Sequence, residues 1–184
     1  RLAMHYANRV DFTGQPIYIG MDVHKKSWTV SIFMEHLEHK TFTQPPDVGS
    51  LVSYLRHHFP GANCTAVYEA GFCGFWIHDQ LQAHGIACRV ANPADIPTRD
   101  KERRRKGDRS DSRKLARGLR NGEIEGIYVP ARAAVEDRSL IRTRQAMVRK
   151  QTRCKNQIKS LLYLYGIPAP EAARSWSRNF IRSL

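Results

Sequence analysis

Between residues 63 and 93 the chain alternates strand, helix and strand, and this alternation limits its fold more than any other feature. "NCTAVYEA" (63–70) and "IACRVANP" (86–93) read as strands, and "GFWIHDQLQAHG" (74–85) between them reads as a helix closed by Gly85. Strands joined by a helical crossover run parallel. Upstream, Ile17, Ile19, Met21 and Val23 alternate with Tyr18, Gly20 and Asp22, the period of a strand. "SWTVSIFME" (27–35) is a second strand and "KTFTQ" (40–44) a third, and the short gaps between them predict an antiparallel meander. A helix intervenes before residue 63: Val48, Leu51, Val52, Leu55 and Phe59 recur at helical spacing, Asp47 is placed to cap it, and Pro60-Gly61 ends it. The expected fold is α/β, a mixed sheet of about five strands flanked by helices.

Downstream the pattern changes. Residues 94–107, "ADIPTRDKERRRKG", are polar and basic and predict a mobile loop. A helix over 109–121 follows, with Leu115, Ala116 and Leu119 on its inner face. A long helix is predicted over 133–165. Leu140, Met147, Cys154 and Leu161 fall seven residues apart, and Ile141, Val148, Ile158 and Leu162 widen the stripe, although Arg144 and Gln151 interrupt it. A helix of that length is a rod of about 50 Å, too long to lie wholly on a small core, so pairing with a second helix is expected. A short final helix closes the chain. The predicted organisation is an extension over 1–16, a sheet domain over 17–130 and a coiled-coil or helical segment over 131–184.

Charge narrows the partners. Lys and Arg number 30 against 17 Asp and Glu, a net +13. Such an excess favours polyanions, nucleic acid before an acidic membrane. No apolar run approaches a membrane span, and "RLAMHYANRV" lacks the apolar core of a secretory leader. Its missing initiator Met points to a trimmed or partial chain. The four cysteines, scattered and without C-x-x-C spacing, read as reduced thiols of a cytoplasmic protein. Eleven Lys or Arg lie between Arg99 and Arg120. Candidate nucleic-acid contacts are Lys25, Lys26, Arg103, Arg104, Arg105, Lys106, Arg109, Arg113 and Lys114, with Arg149 and Arg153 on the long helix. Trp28, Phe72 and Trp76 are candidate base-stacking residues, although aromatics in strands and helices more often belong to the core.

Four carboxylates stand at places where a sheet concentrates function. Asp22 interrupts the apolar first strand, Glu69 ends the fourth, and Asp108 and Asp111 lie three apart where a helix begins. With the strands in the order 3-2-1-4-5, Asp22 and Glu69 become neighbours, and residues at i and i+3 share a helix face. Like charges so close repel unless a cation neutralises them. Hard oxygen donors suit Mg²⁺ or Mn²⁺, and two such ions clamp in-line displacement at phosphate. Asp108 and Asp111 also fit the capping box of the helix they begin, and Glu69 fits a strand-end turn.

"IGMDVHKKSWTVSIF", "VYEAG", "VANP" and "KGDRSDSRKLARGL" together resemble the N-terminal half of the DEDD transposases. These are insertion-sequence recombinases whose first domain is RuvC-like, and the likeness runs from residue 17 to about 165. The resemblance implies an RNase H-like fold, order 3-2-1-4-5, followed by a coiled coil. It places the acidic tetrad on Asp22, Glu69, Asp108 and Asp111, with two divalent ions, DNA as substrate and a structured guide (bridge) RNA as partner. Such a protein is expected in a bacterial or archaeal cytoplasm, associated with the nucleoid, and as a homo-oligomer. The family also carries a C-terminal domain with a serine nucleophile. No serine here sits in a matching motif, so a chain inactive in recombination without that domain is expected. The alternatives are a self-sufficient metal-dependent junction nuclease, an RNA-binding assembly module whose acids only cap helices, and an actin-like ATPase half. The last lacks the glycine and threonine expected after Asp22, where His24 and Lys25 stand.

Overall fold

In a computed structural model, residues 11–96, 108–168 and 176–183 are described, and the chain divides into two compact units, Arg1–Val129 and Pro130–Leu184. The first unit is built on the strands β1 (Pro16–Val23), β2 (Trp28–Phe33), β3 (Glu38–Gln44), β4 (Asn63–Glu69) and β5 (Ala87–Ala91). They form one sheet in the order β3-β2-β1-β4-β5, with β1, β2 and β3 antiparallel and β4 and β5 parallel to β1. This is the expected mixed sheet. Two helices, α1 (Val48–His58) and α2 (Trp76–Ala83), provide the crossovers. Asp47 caps α1 by accepting the amide of Ser50 at 2.6 Å. Gly61 and Gly85 end α1 and α2 at φ +77° and +78°, a conformation that glycine adopts without steric cost.

Strand alternation sorts the core into two layers. Ile17, Ile19 and Met21 of β1 and Trp28, Val30 and Ile32 of β2 are buried against Leu51 and Leu55 of α1 and Ile77 and Leu81 of α2. Tyr18 and Val67 face the other way, where Leu115 and Leu119 of α3 (Asp108–Arg120) cover the sheet. Ile96 and Ile124 complete this second cluster. Here the structure corrects the sequence reading. The segment from residue 94 does not begin as a polar loop: Pro93–Asp95 forms a 3-10 turn and Ile96 is buried. The rest of that predicted loop, 97–107, lies outside the described residues. Trp28 is core and not a stacking surface.

The second unit contains α4 (Arg132–Leu164), 33 residues in one piece, and α5 (Arg178–Ser183). Among its described residues α4 buries no side chain, and Leu140, Met147, Val148 and Leu161 stand exposed along one stripe. No described helix is long and apolar enough to cross a membrane.

Candidate metal centre at the end of the central strands

The register of the sheet assembles the site. Thr41, Ser31, Gly20 and Val67 form one row across β3, β2, β1 and β4. Two residues further on, Asp22 stands beside Thr29. Because Met21 pairs with Tyr68 in the parallel β1–β4 ladder, the next step along both strands brings Asp22 next to Glu69. Strand period puts Gly20, Asp22, Val67 and Glu69 on the face that α3 covers.

Helix α3 crosses the sheet directly over Gly20. A Cβ there would collide with the carbonyl oxygen of Ser112 and the amide nitrogen of Ala116. The missing side chain therefore lets the helix backbone rest on the strand. Its first turn, carrying Asp108 and Asp111, then lies toward the Asp22–Glu69 row. The electrostatics agree. Burial pushes the Glu69 carboxyl above its ordinary range, Asp111 and Asp22 push it further in the same direction, and Lys114 opposes them. Three of the four predicted carboxylates thus share one field. Asp108 opens α3, and its side chain lies outside the described residues.

This donor set fits a hard divalent cation: three carboxylates that repel one another, with no thiol in the group. Among the described residues, no three ligating side chains form a ready-made metal cluster. Asp22 directs Oδ2 to the Nε2 of His24 at 3.2 Å, a contact that sequence reading missed because His24 lies just past the end of β1, in the turn to β2.

Of the predicted basic contacts, Lys25, Lys26 and Arg109 are exposed near these acids in sequence. The Lys25 ammonium lies 5.9 Å from the centroid of the Phe72 ring, and Phe72 is 63% exposed in the turn after Glu69. Arg113 is engaged structurally: its Nε donates to Glu38 at 2.7 Å and to Thr41 at 3.2 Å. Lys114 is half-buried at the acids. Arg149 and Arg153 are exposed on α4. Arg103, Arg104, Arg105 and Lys106 lie outside the described residues.

The family model for the DEDD transposases of the IS110 type, described as "Transposase", matches residues 19–167. The chain belongs to this DEDD transposase family. Two curated Sinorhizobium fredii (strain NBRC 101917 / NGR234) proteins are similar to it. "Putative transposase y4rJ" is 36% identical over 124 residues, covering 64% of this chain and 31% of that protein. "Putative transposase y4qE" is 32% identical over 117 residues, covering 64% and 30%. The chain thus spans less than a third of these relatives. Among solved structures, T. thermophilus RuvC in complex with Holliday junction substrate aligns with a TM-score of 0.44 and 12% identity, over 60% of this chain and 99% of that one. The family match includes Asp22, Glu69, Asp108 and Asp111, and it reaches through α4.

Proposed function

We propose that this DEDD transposase segment supplies the metal-binding part of a DNA strand-cleavage and strand-transfer centre. Asp22, Glu69, Asp108 and Asp111 are the ligands, and Lys25, Lys26 and Arg109 hold the strand by its phosphates. When bound, divalent cations (Mg²⁺ or Mn²⁺, as a pair) neutralise charge at the scissile phosphate and activate the attacking oxygen. The chain's own task is placement. The β1–β4 register fixes Asp22 against Glu69, the Gly20 contact sets the depth of α3, and Lys114 limits repulsion among the acids. The basic residues of α4, with those of 101–106, hold a structured guide RNA and DNA. The apolar stripe of α4 pairs with a second copy of the chain. The observation that carries this reading is the β1–β4 register that brings Asp22 beside Glu69, under a helix α3 that rests on Gly20, in a chain of transposase lineage.

The test is recombination by the complete transposase. Asp22→Ala and Glu69→Ala are expected to abolish strand exchange and keep RNA binding; exchange retained by both variants overturns the metal role. Mg²⁺-dependent cutting of branched DNA by the 184-residue chain alone would identify a self-sufficient nuclease instead.

A further inference from the structure

Two serines are completely buried where helix α3 meets the sheet. Ser31 of β2 and Ser112 of α3 are each 0% exposed, and their hydroxyls meet at 2.8 Å. Burying hydroxyls where alanine would pack is costly unless each finds a partner, so the connections beyond this pair matter. Ser31 Oγ also lies 2.8 Å from Thr41 Oγ1, and the Thr41 hydroxyl donates to Glu38 Oε1 at 3.2 Å. Arg113 Nε donates to both Glu38 and Thr41. Ser112 has one other acceptor, the Arg109 carbonyl oxygen, at 3.4 Å.

The protons of this network can be counted. Three hydroxyls supply three protons for four contacts. Giving the Ser112 proton to Arg109 leaves Ser31 with one proton for its two short contacts. The assignment that keeps the three shorter bonds runs one way: Ser112 donates to Ser31, Ser31 to Thr41, and Thr41 to Glu38. A chain that ends on a carboxylate is charge-assisted, and its members polarise one another. It therefore has a preferred direction and ties α3, at Ser112, to the edge strand β3 through β2.

What this tie fixes is rotation. Gly20 sets how deep α3 lies, but apolar contacts from Leu115 and Leu119 tolerate a few degrees of roll. A directional hydrogen bond from Ser112 does not. Asp111 is the adjacent residue, and one residue is about 100° of helix, so a small roll swings its carboxylate away from Asp22 and Glu69.

We propose that Ser112, Ser31 and Thr41, anchored on Glu38, are positioning residues that fix the rotation of α3 and so hold Asp111 at the metal centre. The inference rests on the metal reading above, and its test separates the two. Mn²⁺ affinity is measured by calorimetric titration of the 184-residue chain, with Asp22→Ala as the control for the site. Ser31→Ala and Ser112→Ala are each expected to weaken Mn²⁺ binding about tenfold, and the double variant no more than either alone, because all three lose the same bond. Wild-type affinity in both single variants, or losses that multiply in the double variant, overturns the proposal. Should Asp22→Ala bind Mn²⁺ like the wild type, the metal reading falls, and amide hydrogen exchange over residues 108–114 decides the positioning role. Faster exchange in both single variants, no greater in the double, supports it, and unchanged exchange overturns it. If a serine variant does not fold, Thr41→Val, at a half-buried site and of equal volume, replaces it. A loss of about threefold in Mn²⁺ affinity supports the relay to Glu38, and no loss overturns it.

Discussion

A methyl group on Gly20 would occupy space held by the Ser112 carbonyl oxygen and the Ala116 amide nitrogen. Both belong to helix backbone, so neither can move without lifting α3. Gly20→Ala should therefore cost about 3 kcal/mol, the upper range for overpacking, seen as a lower urea midpoint, and should weaken Mn²⁺ binding because Asp111 rises with the helix. A midpoint equal to wild type would mean that α3 does not rest on β1. The two neighbouring residues on this strand face differ in how much the sequence tells. Asp22 declares itself, because a carboxylate within an apolar alternation needs a compensating partner. Gly20 does not, because its requirement comes from a helix about ninety residues later, and no local pattern carries that contact. Ser31 and Ser112 are silent for the same reason: each looks like a tolerated small polar residue until the fold joins them.

At the scale of elements, local physics was legible where one segment contained all the information. The strand periods, the Asp47 cap and the positive-φ glycines closing α1 and α2 lie within short windows. The start of β3 was misplaced by two residues, because Glu38 and His39 enter the strand through tertiary contacts: Glu38 through Arg113, and His39 through Tyr54. His39 gives this corner a pH dependence. Its Nε2 meets the Tyr54 hydroxyl at 3.0 Å, and its ring packs on Phe59 with centroids 4.8 Å apart. Burial, then His58, then Lys40 lower its pKa below the ordinary 6.5. The folded imidazole thus gives up its proton more readily than the unfolded one, so the unfolded state binds more protons in the window below pH 6.5. The stabilisation is complete above that value and is lost as pH falls toward the folded pKa. Urea midpoints taken from pH 7.5 to 5.5 should fall, and fall less in His39→Gln; parallel slopes would remove His39 as the cause. Helix α4 raises a different element-scale question, since Leu140 and Leu161 are 71% and 54% exposed on one face. Replacing both with Asp should leave helicity intact and convert a self-associating chain to monomer in sedimentation. A wild-type chain already monomeric at high concentration would deny that the stripe pairs with a second copy.

Across the whole molecule, the proposed nucleic-acid binding draws on two features that obey different physics, the net charge of +13 and the exposed Phe72 ring, and salt separates them. Each Lys or Arg that neutralises a phosphate releases a counterion, contributing about 0.7 to the log–log salt slope on a single strand. Arg149→Ala with Arg153→Ala should therefore flatten that slope by about 1.4, with a loss of affinity that shrinks as salt rises. Phe72 contributes no charge. If it stacks on a base next to the acidic residues, Phe72→Ala weakens single-strand binding by about 1–3 kcal/mol at every salt concentration and leaves the slope unchanged. Lys25→Ala, beside the same ring, should do the reverse, reducing the slope by about one phosphate. Fluorescence anisotropy on a single-stranded oligonucleotide between 50 and 300 mM salt, a range chosen to span the screening regime, reads all three. A Phe72→Ala loss that fades with salt would show that the ring merely steers Lys25, and equal slopes for wild type and the α4 double variant would remove that helix from the nucleic-acid surface.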